Sequence, residues 1–270
     1  MVSGEFIVKT IADPPPLGKS KRRNPKYKQS NVLFVGPQKA GKTTLLSVIL
    51  HKEVRHVIPT IGFNTEALCY DKYNYITVYD VQGTTPSIRN CGSLHDTVDL
   101  RCVVFFVDAM SKKELYDVNP QSAYYCSEKI VWGFQLSNVD PAEGAADDAF
   151  VSLPILFVLT KCDLKAKLVS DIAVNEDVDS ERTLVSEAPE ISLEGSMDED
   201  VIRKLQDHEI SSRLADGSLS GVKDLVTMAD IIDRYKLLEL GIRRKWAIVE
   251  SSAFTGQGID NILKWIADVC

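Results

Sequence analysis

An α/β fold, a doubly wound and mostly parallel six-stranded sheet, is what this sequence predicts. Three observations carry the prediction. Short apolar runs alternate along the chain with stretches of helical periodicity, the pattern of strands linked by crossover helices. Runs such as Val32-Leu33-Phe34-Val35 and Pro154-Ile155-Leu156-Phe157-Val158-Leu159 are continuously apolar, as strands covered on both faces are. The first of these leads straight into Gly36-Pro37-Gln38-Lys39-Ala40-Gly41-Lys42-Thr43, so a glycine-bearing loop joins a strand to the start of a helix.

Residues 1–30 form an N-terminal extension, basic and proline-containing, in which Phe6, Ile7, Val8 and Ile11 are bunched rather than spaced by three and four. That spacing predicts an extended segment or a short helix. Strands follow near 32–35, 65–70, 75–80, 102–107, 154–159 and 246–250, with helices near 42–51, 120–136, 229–240 and 258–269. The strands at 65–70 and 75–80, joined by Asp71-Lys72-Tyr73-Asn74, read as a hairpin that supplies the one antiparallel edge. Two insertions interrupt the alternation. Residues 137–150 lengthen the loop before the strand at 154, and an acidic insertion runs from about 165 to 224. Within it, residues 171–224 hold fifteen Asp and Glu against five Lys and Arg. Such a segment is expected to be largely disordered when alone, with one helix over Met197 to Leu214. The main domain is therefore expected at 31–269, interrupted by that insertion.

The loop at 36–43 carries the first chemistry. Gly36 and Gly41 let the chain curl so that the amides of Gln38, Lys39, Ala40, Gly41 and the following Thr44 point at one anion, beside the positive end of a helix. Lys42 is then expected to pair with the β- and γ-phosphates of a nucleotide, and the Thr43 hydroxyl to ligate Mg²⁺. Val78-Tyr79-Asp80-Val81-Gln82-Gly83 ends a strand in D-x-x-G, which suits Asp80 to the metal through water and the Gly83 amide to the γ-phosphate. Thr60, in Pro59-Thr60-Ile61-Gly62-Phe63-Asn64, offers a second hydroxyl to the metal. The strand at 154–159 delivers Thr160-Lys161-Cys162-Asp163 at the sheet edge where ligands bind. A carboxylate at Asp163 accepts from the N1–H and amine of guanine, whereas adenine would present an acceptor to it. Lys161 can cover the ring, and the strand at 246–250 delivers Ser251-Ser252-Ala253-Phe254, with the Ala253 amide toward the guanine carbonyl. Together these predict GTP or GDP with Mg²⁺ as cofactors and a P-loop NTPase fold. A P-loop kinase would need a lid and an acceptor site, and Asp163 argues against it.

The segment Pro59 to Glu66 resembles switch I of the Arf (ADP-ribosylation factor) and Arf-like small GTPases. Ile231-Ile232-Asp233-Arg234-Tyr235, Arg243-Arg244-Lys245-Trp246, Ser251 to Ile259 and Trp265 are similar to the same family. The resemblance spans about residues 31–164 and 225–269, a complete G domain. It implies a nucleotide-dependent switch or adaptor that presents switch I and the neighbouring hairpin to a protein effector. Three positions depart from the family. The glutamine that orients the attacking water is Thr84 here, too short to do so, which implies weak intrinsic hydrolysis. Gln82 stands where the family carries the first glycine of a pair, and stiffens switch II. Thr160 replaces the asparagine of the guanine motif, yet its hydroxyl can still brace the phosphate loop. The alternative reading is a non-cycling, GTP-bound scaffold component of a larger assembly.

Composition sets the remaining bounds. The 270 residues, 26% charged and 44% hydrophobic, suit one globular domain with additions. No apolar run reaches the roughly 18 residues of a membrane span. The start lacks a signal-peptide pattern, and with Val2 in place of glycine no N-myristoylation is expected. The six cysteines lack C-x-x-C spacing and read as reduced thiols, and the four histidines form no zinc site, so cytoplasmic residence is expected, with a membrane surface or the cytoskeleton as further stations. Net charge is -7, yet Lys19, Lys21, Arg22, Arg23, Lys26 and Lys28 cluster after three prolines. This tail is either a solvated linker or a site for an anionic partner, an acidic protein tail or a lipid headgroup. Without aromatic platforms it does not suit sequence-specific nucleic acid.

Overall fold

The computed structural model describes residues 28–52, 60–69, 74–91, 97–119, 121–132, 153–176, 192–194, 224–240 and 244–270. The basic tail up to residue 27, the loop at 137–150, the hairpin turn at 71–73 and the helix expected over 197–214 lie outside them.

In chain order the strands are β1 (Lys28–Val35), β2 (Phe63–Cys69), β3 (Asn74–Val81), β4 (Leu100–Asp108), β5 (Ile155–Thr160), β6 (Ser192–Glu194) and β7 (Trp246–Glu250). The helices are α1 (Lys42–Ile49), α2 (Thr85–Arg89), α3 (Lys112–Leu115), α4 (Ala123–Trp132), α5 (Cys162–Glu176), α6 (Met228–Arg234), α7 (Leu237–Leu240) and α8 (Ile259–Val269). All six expected strands are present in one sheet of order β2-β3-β1-β4-β5-β7-β6. The strands β3, β1, β4, β5 and β7 run parallel, and β2 closes one side as the antiparallel arm of the expected hairpin.

The hairpin is not the one antiparallel edge. A seventh strand, β6, drawn from the acidic insertion, pairs antiparallel with β7, Leu193 opposite Ile248. Three residues of Ser-Leu-Glu carry no run long enough to register as a strand, and β7 supplies the ladder that makes them one. The expected helix at 229–240 is also two, because Lys236 takes φ 47° between α6 and α7. Thr227 opens α6 with a capping box, its hydroxyl accepting from the Asp230 amide while Asp230 accepts from the Thr227 amide.

Alternate residues of the same strands feed opposite cores, which is why the runs are continuously apolar. Leu33, Val103, Phe105, Phe157 and Ile248 pack with Ile88 of α2, Tyr124 and Ile130 of α4, and Ile231, Tyr235 and Leu237 around α6 and α7. Val32, Phe34, Val104, Phe106, Val158 and Val249 pack with Leu45, Leu46 and Ile49 of α1 and Ile262, Leu263 and Ile266 of α8. The sheet is thus wound on both faces, with the C-terminal ends of β1, β3, β4, β5 and β7 along one edge. Arg244, 2% exposed, ties the lower end of this core together. Its guanidinium donates to the carbonyls of Leu153, Ile130 (2.7 Å) and Val131 (2.9 Å), the last two at the end of α4. No helix among the described residues is long and apolar enough to cross a membrane. Among the described residues Cys91, Cys102, Cys126, Cys162 and Cys270 form no disulfide.

Candidate functional site

β1 ends between β3 and β4, so the loop from Gly36 to Gly41 emerges at the middle of the C-terminal sheet edge. Gly36 is required there. A Cβ at this position would lie 2.6 Å from the Phe106 carbonyl oxygen of β4, and φ is 148°. Gly41, at φ 85°, caps α1, and Thr160 at the end of β5 reaches across to the loop. Its hydroxyl, 4% exposed as a residue, lies 2.8 Å from the Ala40 carbonyl and 3.0 Å from that of Val107. Thr160 thus links the loop at Ala40 to β4 at Val107.

Lys42 is buried at the base of the loop, and its ammonium donates to the carbonyls of Gly36 (2.9 Å) and Pro37 (2.8 Å). Burial lowers its pKa to about 8, with the charges of Asp80 and Cys91 opposing the fall. In this arrangement Lys42 is turned onto its own loop. It lines a cleft of about 340 Å³ together with Gln38, Lys39, Gly41, Thr43 and Thr44 on one side and Thr60, Gln82 and Gly83 on the other.

The three expected metal-binding residues meet beside that cleft, Thr43 and Thr60 in its lining and Asp80 buried behind them. Thr43 donates to Asp80 Oδ2 at 2.6 Å, Thr60 donates to the same oxygen at 3.1 Å, and the two hydroxyl oxygens are 3.0 Å apart. Asp80 is fully buried, and its Oδ1 has no hydrogen-bond partner among the described residues. Burial raises the Asp80 pKa, against hydrogen bonds from Thr43 and Thr60 and the charge of Lys42. A buried carboxylate with one unmatched oxygen, flanked by two hydroxyls, is the all-oxygen donor set that a hard divalent cation takes. The residues present therefore fit Mg²⁺.

The D-x-x-G segment leans directly on the phosphate loop. A Cβ at Gly83 would fall 2.4 Å from Gln38 N, 2.4 Å from Pro37 C and 2.7 Å from Gly36 O, so only glycine permits the approach. The Gln38 amide donates to the Gly83 carbonyl at 3.1 Å. Thr84, the N-cap of α2, turns its hydroxyl to Ser87 Oγ at 2.9 Å. Gln82, on the cleft wall, accepts at Oε1 from the Gly62 amide at 3.2 Å.

At the far end of the same edge, Asp163 sits in the first turn of α5, and Ser252 donates to its Oδ1 at 2.7 Å. Ser252 Oγ in turn accepts from the amides of Phe254 and Thr255, each at 3.2 Å, so the hydroxyl is fully engaged in fixing the carboxylate. Lys161 takes φ 62° and pairs with Asp108 at the end of β4. The phosphate-side cleft does not extend to Lys161, Asp163 or Ala253, and the Phe254 ring is 79% exposed. Asp108 and the Gln82–Gly62 contact went unread in the sequence. Asp108 had a signal, since it directly follows the strand expected at 102–107, beside the one that delivers Lys161. Gln82 had none that local spacing reveals.

The family model of the ADP-ribosylation factor family matches residues 19–125. ADP-ribosylation factor 3 of Arabidopsis thaliana is 30% identical over 132 residues, 46% of this chain and 69% of its own length. ADP-ribosylation factor-like protein 3 of Caenorhabditis elegans is 27% identical over 97 residues, 36% of this chain and 52% of its own, so the chain spans about half the length of that relative. Among solved structures, the Arl6 BBS3 small GTPase from Trypanosoma brucei, with the bound nucleotide analogue GppNp, matches over 89% of this chain and 96% of that one. The identity is 17% and the TM-score 0.50, a likeness of fold. Sequence similarity over two-thirds of the plant relative's length, with the sheet order and edge geometry above, places the chain in the ADP-ribosylation factor family.

Proposed function

We propose that this chain binds GTP and GDP with Mg²⁺ and acts as a nucleotide-dependent switch or adaptor for a protein partner, hydrolysing GTP slowly on its own. The observation that carries the reading is the meeting of Thr43, Thr60 and Asp80 beside Lys42, with one Asp80 oxygen unmatched. In the proposed complex Gly36, Gln38, Lys39, Ala40, Gly41 and Thr44 contribute loop amides, Lys42 leaves the loop carbonyls for the phosphates, and Gly83 offers its amide. Thr43 and Thr60 would ligate Mg²⁺, and Asp80 would hold it through water. Bound Mg²⁺ neutralises charge on the phosphate oxygens. Asp163, held by Ser252, would read guanine, with Lys161, Ala253 and Phe254 around the base and Thr160 bracing the loop. Ile61 and Phe63, 88% and 59% exposed, give the switch I face an apolar surface for the effector. The basic tail would meet an anionic partner, at a membrane surface or in an assembly of the cytoplasm.

A second reading, a non-cycling GTP-bound scaffold component, is favoured by Thr84. Its hydroxyl is committed to Ser87, and its side chain is too short to orient water at a γ-phosphate. Single-turnover hydrolysis with purified protein separates the two. The switch reading expects a slow but measurable rate that rises in Thr84→Gln combined with Gln82→Gly. A native rate equal to that of glutamine-bearing small GTPases would overturn the slow-hydrolysis claim, and no turnover even in the double variant would favour the scaffold.

A further inference from the structure

We propose that Gln82 is a positioning residue that holds switch I, and through it Thr60, in the metal-binding arrangement independently of any bound nucleotide. The inference rests on the nucleotide-site reading above and concerns a contact made by protein atoms alone. β2 and β3 pair antiparallel with Phe63 opposite Val81, so Gly62 and Gln82 are the next pair beyond the ladder. The Gln82 amide donates to the Gly62 carbonyl at 2.8 Å, continuing the ladder from one side. Gly62 stands at φ 77°, a left-handed conformation that turns the chain away toward Thr60. Its own N–H instead donates to the Gln82 side-chain oxygen at 3.2 Å. The side chain thus replaces a main-chain acceptor and completes a two-bond clasp. Ser87 Oγ, 3.4 Å from the same oxygen, approaches it from α2.

The clasp is the second of two cross-ties between the same pair of segments. Two residues toward the start of each segment, Thr60 donates to Asp80 Oδ2 at 3.1 Å. With both ties made, neither segment can swing without breaking hydrogen bonds on both sides of Ile61 and Val81. A glycine at position 82 would retain the main-chain bond and lose the side-chain one, leaving Thr60 to be ordered by its ligand. Gln82 itself touches neither Thr43 nor Asp80 by hydrogen bond among the described contacts, so it acts through Gly62.

The test uses the full chain and Gln82→Met, which keeps the side-chain length and removes the strong acceptor. Hydrogen exchange without nucleotide is the first readout. The Gly62 amide is expected to exchange roughly two- to tenfold faster in the variant, the span that one net hydrogen bond supports. Dissociation of a fluorescent GTP analogue, with Mg²⁺ and with excess chelator, is the second. Gln82→Met is expected to speed release by a similar factor with Mg²⁺ and to leave release in chelator unchanged, a split that general loosening of the fold would not produce. Unchanged exchange at Gly62, or equal acceleration with and without Mg²⁺, would overturn the proposal. A native protein that binds no guanine nucleotide would instead remove the site reading, with the exchange measurement still deciding whether Gln82 holds Gly62.

Discussion

Gly83→Ala probes the closest approach in the site. The added methyl would meet the main chain of residues 36–38, 2.4 Å from Gln38 N and Pro37 C and 2.7 Å from Gly36 O. Nonbonded carbon atoms rest at about 3.5–4.0 Å, so the two segments must part by about 1 Å. The phosphate loop is the less free to move, being held by Thr160 at Ala40 and pressed against Phe106 at Gly36. Displacement therefore falls on the segment after β3, taking with it the Gln38 to Gly83 hydrogen bond of 3.1 Å and the start of α2. Overpacking of this kind costs about 1–3 kcal/mol, and the lost bond adds about 1 kcal/mol. Urea unfolding of the nucleotide-free chain is expected to show a midpoint lowered accordingly with the slope unchanged. Affinity for Mg²⁺·GTP is expected to fall further than affinity for GDP, because the Gly83 amide is assigned to the γ-phosphate. An unchanged midpoint and an unchanged GTP to GDP ratio would refute the argument from backbone proximity.

Two further predictions follow from buried groups. Burial lowers the Lys42 pKa to about 8 against 10.5 in the unfolded chain, so between those values the unfolded state holds more protons and Lys42 makes nucleotide-free stability rise with pH. Phosphate oxygens favour the charged ammonium, so nucleotide binding near pH 9 is expected to take up about one proton, read by calorimetry in buffers of different ionisation enthalpy; zero uptake would separate Lys42 from the phosphates. Thr160→Val is nearly isosteric and leaves the Ala40 and Val107 carbonyls without the hydroxyl that lies 2.8 and 3.0 Å away. It is expected to cost about 1–3 kcal/mol of stability and to speed nucleotide release, with Thr160→Ser restoring both; an unaffected Thr160→Val protein would mean the loop needs no brace.

The sequence announced what is local. Gly36 to Thr43 is legible because a strand, a curled loop and a helix start follow one another without a gap, and Asp80, Asp163 and Ser252 because each directly ends or follows a strand. Alternate burial on two faces made the runs at 32–35, 102–107 and 155–159 within β1, β4 and β5 continuously apolar, which exposed the parallel sheet. The rest depends on partners brought together by folding. Asp108 meets Lys161 across 53 residues, and Arg244 reaches carbonyls of α4 more than a hundred residues away. Gln82 was legible as a departure from glycine, but its partner Gly62 emerges only from the β2 to β3 register. β6 was hidden for another reason, since a three-residue strand has no periodicity of its own and borrows its conformation from β7.

Guanine selectivity is the property expected of the proposed site, which draws on both ends of one sheet edge. Equilibrium titration of the purified chain with GTP and with ATP, each with Mg²⁺, tests it most directly. In the proposed complex Asp163, fixed by Ser252 at 2.7 Å, would accept from guanine, whereas adenine would turn an acceptor toward the carboxylate. GTP is expected to bind tighter than ATP by roughly two orders of magnitude or more, and Asp163→Asn is expected to remove most of the difference. Equal affinity for the two nucleotides in the native protein would contradict it.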